Sequence, residues 1–207
     1  SVEDILSAAR ERGEAPLLVV CDEISDPHNL GAIIRTAECV GAHGVIIPKR
    51  RSAGLTAVVD KTSAGALEHM AVARVPNLAA AIETLKKNGL WIYGTAAEGA
   101  NELWKTDLTG PACIVIGSEG TGISRLVREK CDFLVSIPLR GQISSLNASA
   151  AAAVLLLAFS GPLGRLIYHS DDAGQYIRLL APLVPVMYLD TVTDGCLRGL
   201  GQQTRCM

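Results

Sequence analysis

The chain has 207 residues, of which 49% are apolar and 19% charged, and its formal net charge at pH 7 is −2. This length and apolar content suit one compact α/β domain, or one domain with an appendage. The near-neutral charge excludes a basic surface spread over the whole molecule, so any nucleic-acid binding must be local or come from elsewhere.

The six cysteines form no C-x-x-C pair, and Cys21, Cys39, Cys113 and Cys131 lie in or beside apolar runs. We interpret these four as reduced core residues of a cytoplasmic protein, not as a disulfide framework or a zinc site. The start of the chain is mixed and charged, so no signal peptide is expected. No uninterrupted apolar run reaches about 18 residues, so no membrane span is expected.

Strand and helix patterns alternate along the chain as far as residue 159. Strands are predicted at residues 16–21, 44–48, 70–75, 90–94, 111–117 and 133–137. Helices are predicted at residues 1–13, 30–40, 56–65, 78–88, 123–130 and 148–159. An irregular polar connection is expected at residues 95–109. This alternation predicts an α/β fold with a mostly parallel sheet and helices on both faces.

Ligands of parallel sheets bind beyond the carboxyl ends of the strands, and three polar segments follow such ends here. The first is DPHNLGAIIRTA at residues 26–37. Asn29 is expected to cap the helix that follows. Arg35 would then lie about one and a half turns in, near the positive end, where a cation is unfavourable structurally. The alternative is a surface arginine paired with Glu38 or Glu23.

The second segment is GSEGTG at residues 117–122, in which three glycines allow backbone N–H groups to face a ligand closely. Glu119 would repel a phosphate. The chain also lacks the Gly-Lys-Ser/Thr and G-x-G-x-x-G patterns at its strand ends. The segment therefore favours an electroneutral or cationic ligand, and a tight strand-to-helix turn is the alternative.

The third segment, within residues 136–159, leads into a helix so rich in Ala and Leu that it must be buried. Ser144, Ser145 and Asn147 precede this helix and can cap its N–H groups. A capped core helix without a ligand is the alternative. Since the three segments follow strands of one parallel sheet, we expect their polar side chains to converge at one edge. These side chains are Asn29, Arg35, Glu119, Ser145 and Asn147.

The three segments together resemble the three motifs of the SpoU (TrmH-like) branch of the SPOUT RNA methyltransferases. The matching stretches are NLGAIIRTA at 29–37, IVIGSEGTGI at 114–123 and IPLxGxISSLNAS at 137–149. Their order and spacing agree with the family. The segments DPHN at 26–29 and PKRRS at 48–52 most resemble members that methylate a guanosine ribose in 23S rRNA.

The resemblance implies a Rossmann-like sheet whose C-terminal segment threads through a loop to form a deep trefoil knot, against the general rule that chains avoid knots. It also implies a homodimer, S-adenosylmethionine bound in the knot, and no metal. Residues 16–160 would be the methyltransferase domain and residues 1–15 a remnant of an N-terminal helix and linker. Residues 161–207 would be a tail without an assigned role.

The resemblance also assigns roles to single residues. Arg35 is the residue proposed to activate the ribose 2′-OH, and Asn29, Glu119, Ser145 and Asn147 match the other catalytic positions. Positions that would bind the methyl donor are Thr95, Gly117, Ser118, Gly120, Ile137, Leu139, Ser144 and Leu146. Basic residues expected to contact RNA are Lys49, Arg50, Arg51, Arg125 and Arg140, although such charges can also be a solvated surface.

The predicted activity is the transfer of a methyl group from S-adenosylmethionine to a ribose 2′-OH of RNA, with a guanosine of 23S rRNA as the favoured target. Three alternatives remain open at this point. They are a tRNA ribose methyltransferase, a non-catalytic RNA-binding protein of the same fold, and a nucleotide-dependent enzyme of ordinary Rossmann type.

Overall fold

Parallel strands form one sheet in the computed structural model, which describes residues 1–96, 100–139 and 145–159. The strands within these residues are β1 Leu17–Cys21, β2 Gly44–Pro48, β3 Val72–Val75, β4 Trp91–Thr95, β5 Asn101–Glu102, β6 Ala112–Ile116 and β7 Phe133–Ser136. Their order is β3-β2-β1-β6-β4-β7-β5, and every neighbouring pair is parallel. The prediction of an α/β fold with a parallel sheet is confirmed.

Helices cover both faces of this sheet, as predicted. They are α1 Val2–Arg12, α2 Pro27–Cys39, α3 Ala57–Ser63, α4 Leu78–Lys87, α5 Arg125–Arg128 and α6 Ala148–Phe159, with 3-10 turns at Ala66–Glu68 and Leu103–Lys105. Alternate residues of β1 divide between two buried clusters, because successive side chains of a strand point to opposite faces. Val19 packs in the cluster that contains α2 and α6, and Leu18 in the one that contains α1, α4 and α5.

The amino-terminal helix α1 belongs to this packed body. Its apolar side chains Val2, Ile5 and Leu6 are buried against the sheet. Ile5 lies so close to Gly44 at the start of β2 that a Cβ on that glycine would meet the Ile5 Cδ1 atom at 2.6 Å. Ser1 and Asp4 close the amino end of the helix with a capping box.

Helix α2 begins earlier than predicted. Asp26, not Asn29, is its N-cap: the Asp26 carboxylate accepts the His28 N–H at 2.8 Å, and Pro27 takes the first helical position, which suits its fixed φ. The prediction that Asn29 caps the helix is wrong. Arg35 therefore lies in the second half of α2, where the helix dipole no longer disfavours a cation. The expectation that Arg35 lies at an electrostatically unfavourable position is wrong.

Two other segments differ from expectation. The connection at residues 95–109 is not wholly irregular, because β5 extends the sheet at its edge, with Asn101 paired to Val135 of β7. Cys39 was expected in the core but is exposed at the end of α2, and Cys131 is only half-buried. The tail at residues 161–207 lies outside the described residues. No helix in the described part of the chain has the length and apolarity needed to cross a bilayer.

The contact between α2 and α3 depends on Gly31. A Cβ at this position would lie 1.9 Å from Oγ1 of Thr62 and 2.8 Å from the carbonyl oxygen of Val59. The Thr62 side chain can rotate away, but the Val59 carbonyl belongs to the backbone of α3. We therefore predict that Gly31→Ala lowers the free energy of unfolding by about 1–3 kcal/mol, although Ala gains about 1 kcal/mol over Gly in a helix interior.

Urea denaturation of the two proteins measures this difference. Gly54→Ala is the matched control, because a Cβ there would meet its nearest neighbour, the Thr56 Cγ2 atom, at 3.9 Å. The control should change stability by no more than about 0.5 kcal/mol. A Gly31→Ala protein as stable as wild type would show that α2 and α3 can move apart without loss of stability.

Candidate functional site

Three polar side chains from distant parts of the chain meet at the carboxyl edge of the sheet. The Asn29 side-chain amide donates to Oε1 of Glu119 at 2.8 Å, across 90 residues of sequence. The Asn147 amide donates to the same oxygen at 2.5 Å and to Oδ1 of Asn29 at 3.0 Å. The structure thus brings together one residue from each of the three motifs.

Each member of this cluster is placed by a different element. Asn29 is in the first turn of α2, directly beyond β1, and only 7% of it is exposed. Asn147 is the cap of α6: its Oδ1 accepts the N–H groups of Ser149 at 2.9 Å and Ala150 at 3.3 Å. The Asn147 side-chain oxygen accepts hydrogen bonds from α6, and the side-chain nitrogen donates to Glu119. These partners determine the orientation of the Asn147 amide.

Glu119 joins these elements through a single oxygen. Besides the two asparagines, the Ala148 N–H approaches Oε1 at 3.4 Å. The carboxylate therefore lies at the amino end of α6, where the helix dipole favours negative charge. The acid of the second motif holds the beginnings of α2 and α6 at one point.

The loop that carries Glu119 is a closed turn. Ser118 and Gly122 exchange two backbone hydrogen bonds, at 3.1 and 3.0 Å. A Cβ at Gly117 would lie 2.2 Å from the carbonyl carbon of Gly122, so only glycine fits where the two sides of the turn cross. The tight turn that the sequence left open as an alternative is present, and it also forms the wall of a cavity.

This cavity has a volume of about 500 Å³, within the range of small-molecule sites. Seven of the eight positions predicted to bind a methyl donor line it, and the eighth, Ser144, lies outside the described residues. The seven are Thr95, Gly117, Ser118, Gly120, Ile137, Leu139 and Leu146. Glu119 and Ser145 also line the cavity, whereas Asn29 and Asn147 stand behind Glu119.

Some lining residues were missed by the sequence reasoning. The described ones are Ala96, Ile116, Thr121, Gly122, Ile123, Arg128, Val135, Ala148, Ala151 and Leu155. The spacing of Ala148, Ala151 and Leu155 follows one face of a helix, so this periodicity was a usable signal. Among the described lining residues only Glu119 and Arg128 are charged.

Arg35 is not part of this assembly within one chain. It is exposed, it does not line the cavity, and it lies about 9 Å beyond Asn29 along the helix axis. Within the described residues it forms no ion pair, and Glu23, one of its possible partners, contacts Arg51 at 3.4 Å instead. The structure thus brings Asn29, Glu119 and Asn147 together without Arg35.

The predicted RNA-contacting residues divide into paired and unpaired cations. Arg51 pairs with Glu23, and Arg125 pairs with Glu129 at 3.1 Å. Lys49 and Arg50 follow β2 at the carboxyl edge, are exposed and form no ion pair with any described residue. Arg140 lies outside the described residues.

The thiols of Cys21, Cys113 and Cys131 are poorly reactive. Burial raises the pKa of Cys21 and that of Cys131 to about 12, and it also raises the pKa of Cys113. These groups remain protonated thiols at neutral pH, which makes them weak nucleophiles and weak metal ligands. In the described part of the chain, no three His, Cys, Asp or Glu side chains are grouped as a metal site would require.

The convergence on Glu119 predicts a difference between two substitutions. Glu119→Gln keeps an oxygen for the three donors, whereas Glu119→Ala leaves the buried Asn29 amide without its acceptor. We expect Glu119→Ala to lower the free energy of unfolding by about 1–3 kcal/mol and Glu119→Gln by less than half as much. Urea denaturation measures both, with the exposed Glu38→Ala as control. Equal losses for the Gln and Ala variants would contradict a role of this oxygen in holding the helices.

Known proteins match this chain over the region just described. The model of the SpoU rRNA Methylase family matches residues 16–157. An uncharacterized tRNA/rRNA methyltransferase of Synechocystis is 55% identical over 153 residues, covering 74% of this chain and 40% of the relative. The 23S rRNA (guanosine-2′-O-)-methyltransferase RlmB of Pseudomonas putida is 50% identical over 155 residues, covering 74% of this chain and 62% of the relative.

Solved structures agree with these matches. The SpoU methyltransferase AviRb from Streptomyces viridochromogenes, in complex with AdoMet, superposes with a TM-score of 0.65 at 33% identity, over 73% of this chain and 61% of that one. The chain spans less than two thirds of the length of the curated relatives named above. Because the family model covers more than half of the chain and includes all three motifs, the chain belongs to the SpoU rRNA methylase family.

Proposed function

We propose that this chain contains the methyl-transfer domain of an RNA 2′-O-methyltransferase that uses S-adenosylmethionine. The observation that carries the proposal is the cavity, whose wall includes residues of the second and third motifs and is joined to the first motif through Glu119. The AdoMet-bound relative supports the choice of donor. Half-identical relatives named as 23S rRNA guanosine methyltransferases support a guanosine of 23S rRNA as the target, with tRNA as the alternative.

The residues present fit this donor. Ile137, Leu139 and Leu146 offer apolar walls for an adenine ring, and the glycines of the loop leave backbone N–H groups open to it. The two charged side chains of the described wall, Glu119 and Arg128, have opposite signs. A donor that carries an ammonium, a sulfonium and a carboxylate matches such a wall better than a polyphosphate does.

The donor supplies an electrophilic methyl group on a sulfonium leaving group. The task of the protein is to hold a ribose oxygen in line with that methyl, and positioning alone can provide most of the barrier reduction. Glu119 keeps the loop in place, and the turn of residues 117–122 supplies one wall of the site. Ser145 faces the same cavity and can contact either substrate.

Arg35 is the residue we assign to the acceptor. A guanidinium is a poor general base, so its role would be to hold the adjacent phosphate and lower the pKa of the ribose 2′-OH electrostatically. Its distance from the cavity within one chain requires a second subunit, which supports the homodimer. Exposed apolar side chains of the third motif and α6, such as Leu146 and Leu157, suit such an interface.

The strand order supports the trefoil knot that the family resemblance implies. Strand β7 lies between β4 and β5, although β4 and β5 follow each other directly in sequence. Ala96, which directly follows β4, donates its backbone N–H to the Val135 carbonyl of β7 at 3.0 Å. Strand β7 is thus inserted between two strands that are consecutive in the chain, as a threaded topology requires.

The direct test is a methylation assay with the full chain, radiolabelled S-adenosylmethionine and either unmodified 23S rRNA or tRNA. We expect label in 23S rRNA at a single ribose 2′-oxygen, which alkaline-resistant linkage and primer extension would locate. Label in tRNA alone would favour the alternative substrate. Donor binding without transfer to either RNA would identify a non-catalytic RNA-binding protein.

Substitution of Arg35 distinguishes donor binding from methyl transfer. We expect Arg35→Ala to abolish methyl transfer while the dissociation constant for S-adenosylmethionine, measured by calorimetry, changes by no more than about threefold. Arg125→Ala, which removes an exposed arginine paired with Glu129, is the matched control and should retain both properties. A large loss of donor affinity in Arg35→Ala would place Arg35 in the donor site instead.

Mixing variants tests whether Arg35 acts across a dimer. Neither Arg35→Ala nor Asn147→Ala homodimers should methylate RNA, but half of the dimers in a fully exchanged mixture would contain one intact site. About a quarter of wild-type activity should then return. A mixture that stays inactive after subunit exchange would exclude a shared site.

The unpaired cations Lys49 and Arg50 predict a salt effect. Their double substitution by Ala should weaken RNA binding and reduce the slope of log affinity against log salt concentration by about 1.4–1.8, because each phosphate contact contributes about 0.7–0.9. The control replaces Arg12 and Lys87, which carry the same charges at the ends of α1 and α4 on the opposite edge of the sheet. Equal slopes for both double variants would show that residues 49–50 do not contact RNA.

A further inference from the structure

A buried carboxylate outside the three motifs contacts the loop that lines the cavity. Asp22 directly follows β1, and only 3% of it is exposed. Its Oδ2 accepts the backbone N–H of Ser124 at 2.6 Å, across 102 residues of sequence. Its own N–H donates to the Ile116 carbonyl at 2.8 Å, which continues the pairing of β1 with β6.

These two hydrogen bonds attach both ends of the loop to one residue. Ile116 is the last residue of β6, immediately before the loop, and Ser124 is the first residue after it and the N-cap of α5. Residues 117–123 between them all line the cavity, and Glu119 is among them. Asp22 therefore attaches this closed loop, at both of its ends, to the carboxyl end of β1.

The sequence around Ser124 offers no local substitute for this contact. Ser124 occupies the N-cap of α5, and the N3 residue is Val127, which has no side-chain oxygen to accept the Ser124 N–H as a capping box would. Removing the Asp22 carboxylate would deprive a backbone N–H of its acceptor, and hydrogen bonds of this charged kind are stronger than neutral ones. The turn within the loop would remain closed by Ser118 and Gly122, but it could move as a unit against α2 and α6.

We propose that Asp22 is a positioning residue for the donor: it holds the loop of residues 117–123 in the form that binds S-adenosylmethionine. The proposal rests on the proposed function and deepens it, because it assigns donor affinity to a residue outside the three motifs. Asp22 does not line the cavity, so it acts through the loop and not by contact with either substrate.

Two substitutions at Asp22 test whether its hydrogen bond to Ser124 is what supports donor binding. Asp22→Ala removes the acceptor, and we expect the dissociation constant and the KM for S-adenosylmethionine to rise about tenfold or more, with the KM for RNA within about twofold of wild type. Asp22→Asn keeps an oxygen that can accept the Ser124 N–H, so its donor affinity should stay within about threefold. An Asn variant as weak as the Ala variant would overturn the role of this hydrogen bond.

Asp132 provides a matched control. Its carboxylate also accepts a backbone N–H, that of Ile92 at 2.9 Å, but at the opposite edge of the sheet, at the amino ends of β4 and β7. Asp132→Ala removes the same kind of bond, together with an ion pair between Asp132 and Lys86 at 2.6 Å, and should still leave the donor affinity within about twofold of wild type. An equal loss of donor affinity in this control would reduce the Asp22 effect to lost stability and overturn the proposal.

A second variant removes the other partner of the bond. Ser124 has a φ of −62°, which proline adopts, so Ser124→Pro deletes the N–H at a compatible backbone angle. If Asp22 acts through this bond, Ser124→Pro should weaken donor binding as Asp22→Ala does. The double variant should then be no weaker than either single one. Additive losses would show that Asp22 acts by another route.

Hydrogen exchange without donor separates this inference from the proposed function. Amides of residues 117–124 should exchange at least about tenfold faster in Asp22→Ala than in wild type. Their exchange rates should be unchanged in Asp132→Ala. Failure of wild type to bind S-adenosylmethionine would refute the proposed function, whatever the exchange rates are. Normal exchange and normal donor affinity in Asp22→Ala would refute the inference alone.

Discussion

The site depends on one oxygen atom, Oε1 of Glu119. Two asparagine amides and one helix N–H point to it, and they come from segments far apart in the chain. A carboxylate oxygen can accept several donors at once, and it is charged, so it attracts them more strongly than an amide oxygen would. This single acceptor holds the start of α2 and the start of α6 against the cavity loop.

The parallel sheet makes that meeting possible. β1 and β6 are neighbours with Cys21 opposite Ile116, so the segments after them emerge side by side. Asp22 then bonds to both ends of the second segment, and α6 returns over the same face to supply Asn147. The apolar strands need no polar groups of their own for this, because Asp22, Glu119 and Asn147 stand in loops at one edge and Asn29 in the first turn of α2.

Much of this arrangement was predictable, for identifiable reasons. The strand at residues 44–48 was predicted with its observed bounds, and the apolar run at residues 148–159 coincides with α6, since a continuous apolar run marks a buried element. The start of α2 was missed because Asp26 and Asn29 are both good caps, and local sequence does not decide between them. Strand β5 has two residues, too few for any periodic pattern, and its pairing depends on β7, which comes 30 residues later in the chain. Asp22 was missed since its partner is a backbone N–H that sequence cannot place.

The position of Arg35 separates two roles that the three motifs share, binding of the donor and activation of the acceptor. The cavity and the residues that hold it, Glu119, Asn147 and Asp22, all belong to the described part of one chain. Arg35 shares its motif with Asn29, but the helical repeat directs the two side chains differently and separates them along the axis. The described wall of the proposed donor cavity thus lies within one subunit, while the cation assigned to the acceptor is exposed and does not line it. If the proposed homodimer brings Arg35 to the cavity of the other subunit, the site gains its full set of groups only on association, and assembly and catalysis are then coupled through α2.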